Sequence, residues 1–170
     1  CARGDEYICG QDAHCYSHEA GGAAVLGSIQ PQPIAHQPDG TLALADIEAA
    51  IKPDDLHYAR TRLLALENTL GGRVLSLDYM QQATDLARRH GLGTHLDGAR
   101  MFNVKVKLGV SAEAIAAPFD TVSVCLSKGL GAPVGSVLVG NADLIARARR
   151  QRKMLGGGMR QAGILAAPGL

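Results

Sequence analysis

Short apolar runs alternate along this chain with longer amphipathic stretches. Buried strands produce the first pattern and surface helices the second. The apolar runs predict strands at residues 5–9, 23–29, 62–67, 94–97, 122–126 and 136–139. The polar, glycine-ended stretch 11–22 predicts a short helix and a loop. Three prolines and an Asp-Gly pair make 31–40 an extended, turn-rich connection.

Helical spacing fills the intervals between these strands. The segment 44–51 has its apolar residues on one helical face. Ser76 is a suitable N-cap for a helix with a continuous apolar stripe, and Gly91 is a suitable end for that helix. One or two short helices are expected within 101–116, and Asn141 is expected to cap a last helix.

This alternation predicts an α/β fold with a mostly parallel sheet and helices on both of its faces. The link from Lys128 to Ser136 is short enough for a hairpin, so one antiparallel strand is expected within that sheet. A chain of 170 residues is long enough for one core, which makes a single domain the expectation for 1–170.

Two polar residues mark the ends of neighbouring apolar strands. Asp97 ends the strand that begins at Thr94, and Lys128 follows the strand that begins at Val122. Ligands of open α/β sheets bind outside the carboxyl ends of the strands. An acid and an amine at one such edge suit pyridoxal phosphate: the amine forms a Schiff base, and the acid keeps the pyridine nitrogen protonated. The alternatives are a turn aspartate and a surface lysine.

Composition narrows the possible partners. The formal net charge is +1 and charged residues make up 19% of the chain, so there is no electrostatic argument for nucleic acid or for an anionic membrane. The cationic cluster 147–153 lacks interleaved aromatic residues and fits a helix C-terminus instead. No apolar run approaches the length that a bilayer requires, and a cytoplasmic location is expected. The four cysteines form no CxxC pair, so no metal site is expected.

Two motifs carry a resemblance to a known family. They are HLDGARMFN (95–103) and SVCLSKGLGAPVGS (123–136), and they are accompanied by an upstream histidine in QDAHCY and a downstream KMLGGGMRQAG. In this order they resemble the aspartate and lysine motifs of the low-specificity L-threonine aldolases, which are fold-type I pyridoxal-phosphate enzymes. The resemblance covers the whole chain and implies the large cofactor domain of that fold.

The resemblance assigns roles to individual residues around the cofactor. Lys128 is expected to form the Schiff base, Asp97 to pair with the pyridine nitrogen, and His14 to stack on the cofactor ring. Arg100 is expected to hold the substrate carboxylate, for which a bidentate guanidinium is well suited. Ser127 is a candidate donor to the cofactor, although a loop hydroxyl is an equal alternative.

The remaining implied residues concern the phosphate and the substrate side chain. Arg160 and Lys153 flank a glycine-rich segment that resembles one approaching the cofactor phosphate and the substrate. His57 matches a family histidine near the β-hydroxyl group and could take its proton, although a structural histidine is nearly as good an interpretation. His18 occupies a position where the family often has Tyr or Phe, which leaves the preferred 3-hydroxy amino acid open.

The implied function is a retro-aldol cleavage of L-threonine or L-allo-threonine to glycine and acetaldehyde, with a small-molecule substrate and a homo-oligomeric enzyme built as a dimer of dimers. A β-eliminating lyase, which would release pyruvate and ammonia, is an alternative, as is another enzyme of fold type I.

The chain also resembles an internal piece of its family. The resemblance places an N-terminal arm before Cys1 and a small C-terminal domain after Leu170, so the isolated 170 residues are expected to be inactive. A non-catalytic module that only binds cofactor or dimerises is therefore an alternative for this segment.

Overall fold

The computed structural model describes residues 1–170, and six segments of the chain form one sheet. In chain order the strands are β1 (Asp5–Gly10), β2 (Gln30–Ile34), β3 (Arg60–Glu67), β4 (Gly93–Asp97), β5 (Thr121–Cys125) and β6 (Ser136–Gly140). The helices are α1 (His14–Ser17), α2 (Gly22–Val25), α3 (Leu44–Ala50), α4 (Leu77–Arg89), α5 (Met101–Leu108), α6 (Ala112–Ala116), α7 (Ala142–Met154) and α8 (Gly163–Ala166). Two 3₁₀ turns lie at Glu19–Gly21 and Ala167–Gly169.

The strand order across the sheet is β2-β1-β3-β4-β5-β6. All neighbouring strands are parallel except β5 and β6, which pair antiparallel. The predicted mostly parallel sheet and its one hairpin are therefore confirmed. None of the helices combines the length and the apolar character that crossing a bilayer requires.

The prediction of a strand at 23–29 is wrong, and the second strand lies further along the chain. Residues 22–25 are helical, which suits their alanines, and the side chains of Val25 and Leu26 are largely exposed. Strand β2 instead falls in the proline-rich stretch that was expected to be a connection. It is an edge strand, and Pro31 and Pro33 both fit there because their missing N–H groups lie on one side of the strand.

Helix α4 begins and ends where the sequence predicts. The Ser76 hydroxyl accepts a hydrogen bond from the Tyr79 amide at 3.1 Å. At the other end Gly91 adopts a left-handed φ of 69°, and the Leu92 amide donates to the Ala87 carbonyl at 2.9 Å. These caps fix the length of the helix that leads from β3 to β4.

Two hydrophobic clusters lie on opposite faces of the sheet, because side chains alternate along each strand. The larger cluster packs against α3 to α6 and receives these strand residues: Ile8, Leu64, Leu66, Leu96, Val122 and Val124. The smaller cluster comprises Tyr7, Cys9 and Ala65, with Cys15 and Ala23 packed beside them. The expected helices on both faces are therefore present, with the thicker layer on one side.

The chain order creates a crevice between β1 and β3. The connection that leaves β1 runs outward to β2, whereas the connection that leaves β3 runs the other way to β4. Their helices accordingly pack on opposite faces of the sheet. In open α/β sheets such a switch in direction opens the crevice in which ligands bind.

Tyr79 joins α4 to Leu42, two residues before the start of α3, by a pair of partly buried hydrogen bonds. Its hydroxyl donates to the Leu42 carbonyl at 2.9 Å and accepts from the Leu42 amide at 2.8 Å. Burial raises the pKa of Tyr79 to about 12. The neutral phenol is therefore favoured in the folded protein, and the stability it contributes is present below pH 10 and lost as the pH rises through 12.

We expect Tyr79→Phe to lower the free energy of unfolding by about 1–3 kcal/mol, because both polar groups of Leu42 lose their partner. Between pH 10 and 12 the stability of the variant should fall less steeply than that of the wild type. Urea denaturation across this pH range measures both effects. Tyr58→Phe is the matched control, since Tyr58 is half exposed and its hydroxyl has no hydrogen bond within the chain. Identical pH slopes for Tyr79→Phe and the wild type would contradict this account.

Candidate active site

A cleft of about 150 Å³ opens at the carboxyl edge of the sheet, above the ends of β1, β3, β4 and β5. Its polar lining consists of His14, Glu19, Glu67, Asp97, Arg100, Ser123, Lys128 and Ser136. Four of the residues singled out from the sequence, namely His14, Asp97, Arg100 and Lys128, thus meet in one place. The parallel strands bring them together although they are far apart in the sequence.

Asp97 stabilises the turn that follows it and also lines the cleft. Its Oδ1 accepts a hydrogen bond from the Ala99 amide at 3.0 Å, which is the local role expected of an aspartate before glycine. Its Oδ2 has no hydrogen-bond donor within the chain and remains available to a ligand. The following Gly98 amide donates to the Ser123 carbonyl at 2.8 Å, which ties the turn to β5.

Lys128 lies in the turn of the β5–β6 hairpin. Backbone hydrogen bonds from Leu126 to Gly135 and from Gly131 to Lys128, of 2.9 and 3.0 Å, hold this turn. The ammonium group of Lys128 forms no ion pair within the chain, although Asp97 lines the same cleft. The hydrogen-bonded turn therefore holds an amine that is not paired with any carboxylate of the chain.

Arg100 is half-buried, yet its guanidinium makes neither an ion pair nor a hydrogen bond within the chain. It borders the cleft and also a neighbouring one that is lined by Thr69, Asn103 and Lys107. A half-buried arginine normally finds an acceptor, since its five N–H groups are costly to leave unpaired. An external carboxylate or phosphate is the natural partner at this position.

His14 is held by a residue that the sequence analysis did not select. The Glu67 carboxylate accepts the His14 backbone N–H at 2.8 Å through Oε2, and its Oε1 lies 2.7 Å from the ring Nδ1. The side chain of Glu67 is only 5% exposed, against 37% for His14. Glu67 ends an apolar strand just as Asp97 does, so the reasoning that selected Asp97 could have found it.

His18 stacks on His14, with ring centroids 4.6 Å apart and an interplanar angle of 25°. His18, which was predicted to lie in the substrate pocket, therefore lies beside the cleft. It contacts His14, which lines the cleft. Its Nδ1 is 2.8 Å from the Ser17 hydroxyl, which sets the plane of its ring.

Tyr7 and Cys9 of β1 pack against Cys15 of α1. The Tyr7 hydroxyl donates to the Cys15 carbonyl at 2.8 Å, and burial raises the pKa of Tyr7. The neighbouring Cys15 and burial raise the pKa of the Cys9 thiol, whereas the proximity of Cys9 lowers the pKa of the Cys15 thiol. Both thiols are free, and Cys15, which follows His14, packs against the cluster that contains Cys9.

His57 does not line the cleft within this chain, and its assignment to the substrate stays a prediction. It precedes β3, and a residue before a parallel strand lies at the amino edge of the sheet. The strand from Arg60 to Glu67 separates it from the cleft by roughly 20 Å. Its side chain is 77% exposed, and its Nδ1 is 2.8 Å from Asp55.

Three other predicted residues lie outside the lining of the cleft. Ser127 is exposed in the hairpin turn, and its hydroxyl makes no hydrogen bond. Lys153 donates to the Gly158 carbonyl at 3.2 Å, beyond the end of α7. Arg160 is exposed and its side chain has no partner. Their assignments to the cofactor and the substrate stay predictions.

Several proteins similar to this chain are named threonine aldolases. The family model described as beta-eliminating lyase matches residues 1–170. The low specificity L-threonine aldolase of Escherichia coli K12 is 59% identical over 170 residues, which are 100% of this chain and 51% of that protein. The chain spans about half the length of the curated relatives it matches.

Solved structures agree with this similarity. A threonine aldolase from Leishmania major has a TM-score of 0.85 at 25% identity, over 99% of this chain and 50% of that one. A candidate L-allo-threonine aldolase from Listeria monocytogenes has a TM-score of 0.77 at 27% identity, over 91% of this chain and 42% of that one.

The turn after Asp97 requires glycine because the backbone of β5 is close. A Cβ atom on Gly98 would lie 3.0 Å from the Ser123 carbonyl oxygen and 3.1 Å from Val122 Cγ1. We expect Gly98→Ala to cost about 1–3 kcal/mol of unfolding free energy, since the backbone of β5 cannot move freely. Chemical denaturation measures this cost. Gly22→Ala is the control, because nothing lies within 4 Å of its Cβ position. Equal stability of the two variants would contradict a close contact.

Proposed function

Because the chain belongs to the beta-eliminating lyase family, we propose that it forms the cofactor site of a pyridoxal-phosphate-dependent aldolase. The proposed reaction cleaves L-threonine or L-allo-threonine to glycine and acetaldehyde. The observation that carries the proposal is the cleft in which Lys128, Asp97 and Arg100 meet without pairing to one another.

The donor set of the cleft fits pyridoxal phosphate. Lys128 supplies an unpaired amine for the aldehyde, and Asp97 supplies a carboxylate oxygen that no protein donor occupies. The imidazole of His14, which lines the same cleft, supplies a planar ring. When bound, the cofactor withdraws electrons from the substrate α-carbon, so that a bond at this carbon can break. The negative charge of Asp97 would favour a protonated pyridine nitrogen, which would strengthen this withdrawal.

Arg100 is suited to orient the substrate. Its guanidinium can hold the α-carboxylate with two parallel hydrogen bonds, which fix a plane as well as a distance. This orientation selects which bond of the α-carbon is aligned for cleavage. The position of Arg100 between two clefts leaves room for the substrate side chain on the side of Thr69 and Asn103.

Aldol cleavage also requires a group that takes the proton of the β-hydroxyl. Within this chain His57 lies at the wrong edge of the sheet, whereas His14 lines the cleft. An imidazole is suited to this task near neutral pH. We therefore assign the proton transfer within this chain to His14, and the assignment of His57 to the substrate stays a prediction.

The names of the relatives favour aldol cleavage over elimination. The Escherichia coli relative and the Leishmania major structure are both named threonine aldolases. The family description nevertheless names elimination, so a β-eliminating lyase is the second candidate. The two reactions differ in their products, since elimination from threonine gives a 2-oxo acid and ammonia.

A homo-oligomer built as a dimer of dimers is part of the proposal. Helix α7 has no buried residue, and Val137, Leu138 and Val139 of β6 are each about two-fifths to one-half exposed. Contiguous apolar surface of this kind is typically covered by other protein. The rest of the full-length protein and a second subunit are the proposed cover.

Replacement of Lys128 tests the proposal in the full-length protein. We expect Lys128→Ala to lower the release of acetaldehyde and glycine from threonine by at least about 10³-fold, because the covalent link to the cofactor is lost. Borohydride reduction of the wild type followed by peptide mapping should place the label on Lys128. Lys105→Ala, on the exposed face of α5, is the control and should keep both the label and the activity. Release of a 2-oxo acid and ammonia would favour the second candidate, and normal turnover in Lys128→Ala would end the proposal.

Arg100→Lys tests the assignment of the carboxylate site. We expect KM for threonine to rise by about 10- to 100-fold, since a lysine keeps the charge but loses the paired hydrogen bonds. Steady-state kinetics of acetaldehyde release measure this change. Arg147→Lys on exposed α7 should leave KM unchanged. An unaltered KM in Arg100→Lys would show that the substrate carboxylate binds elsewhere.

A further inference from the structure

Glu67 is the most deeply buried acid of the cleft, and no role has been assigned to it so far. We propose that Glu67 is a positioning residue that fixes the orientation of the His14 ring and keeps its proton on Nδ1. Nε2 then faces the cleft with its lone pair free. This inference rests on the proposed function, because it concerns how His14 takes part in the aldol cleavage.

The first argument is that one carboxylate binds both the backbone and the ring of His14. Oε2 accepts the backbone N–H at 2.8 Å, and Oε1 lies 2.7 Å from Nδ1. His14 is the first residue of α1, and the preceding Ala13 has no side chain that could cap this helix. Glu67 therefore satisfies a free N–H of the first turn that an N-cap would otherwise satisfy.

The second argument concerns the position of the proton. A carboxylate offers only acceptors, so a ring nitrogen at 2.7 Å from Oε1 must be the donor. In the neutral imidazole one nitrogen carries the proton and the other the lone pair. With the proton on Nδ1, the lone pair is on Nε2, which has no hydrogen-bond partner within the chain.

The third argument is that Glu67 is shielded from water and that the ring of His14 is restricted in its rotation. The Glu67 side chain is 5% exposed, so water competes weakly for its oxygens. His18 stacks on the ring of His14 at 4.6 Å and limits its rotation. Glu67 is also opposite Asp97 in the register of β3 and β4, so the sheet itself fixes its distance from the Asp97 carboxylate.

These contacts suit a proton acceptor for the β-hydroxyl. In cleavage the O–H proton moves to Nε2, and the electron pair of that bond forms the carbonyl of the aldehyde. The pair of the Cα–Cβ bond remains with the glycine half, which is then protonated at its α-carbon. The imidazolium of His14 would be stabilised by the negative charge of Glu67 without reorganisation of either group.

The test is Glu67→Gln in the full-length protein with ring-15N histidine, studied by solid-state NMR and by kinetics. A glutamine has one acceptor for the two donors of His14, and its NH₂ group can face Nδ1 and shift the proton to Nε2. We expect the wild type to show His14 protonated at Nδ1 and the variant to lose this signal. The His14 resonances are assigned by their absence in His14→Gln.

The kinetic readout separates positioning from a structural role. For Glu67→Gln we expect kcat of threonine cleavage to fall by about 10²- to 10³-fold. Glycine has no β-hydroxyl, so its dissociation constant, measured by the absorbance of the bound cofactor, should change by less than about threefold. Glu48→Gln is the matched control, since Glu48 pairs with His90 at 3.1 Å on the surface. It should alter neither the His14 resonances nor kcat.

Two results would overturn the inference. One is a wild-type His14 protonated at Nε2, which needs no variant to be observed. The other is a Glu67→Gln protein with reduced stability but unchanged kcat, which would make the contact structural only. If the wild type does not cleave threonine, the product assay rejects the proposed function, while the NMR spectrum alone still decides the position of the His14 proton.

Discussion

The parallel register of β1, β3, β4 and β5 is the constraint on which the candidate site depends. It aligns the strands so that each one ends at the same edge, and it places Glu67 opposite Asp97 and Asp97 opposite Ser123. The change of direction between β1 and β3 then opens the crevice at the point where His14 follows β1. The backbone hydrogen bonds of the sheet thus fix distances between polar groups that are remote in the sequence.

The charges at this edge are arranged for a ligand. Glu67 uses both oxygens on His14, and Asp97 uses one oxygen on its own turn. Arg100 and Lys128 have no internal partner, although carboxylates line the same cleft. Unpaired charged groups lower the stability of the free protein. A ligand of complementary charge restores this stability when it binds. An amino acid and a phosphorylated cofactor carry such charges.

Sequence reasoning found those features that depend on local chemistry. The caps of α4, the hairpin and the strand-end positions of Asp97 and Lys128 all follow from neighbouring residues. It failed where position in the sheet decided the outcome. Pro31 and Pro33 form a strand, against expectation, because β2 is at an edge of the sheet. Glu67 has the same strand-end position as Asp97, but its partner His14 is 53 residues away, so its contact with His14 is not visible in the sequence.

The hairpin that carries Lys128 has an evolutionary consequence. Its pairing runs from Thr121 opposite Gly140 to Cys125 opposite Ser136, and this pairing leaves a turn of fixed length. An insertion in that turn would displace the amine, whereas an insertion in the link before β3 would lie at the far edge of the sheet. Length differences among homologues should therefore accumulate around residues 52–59 and be rare between 126 and 135.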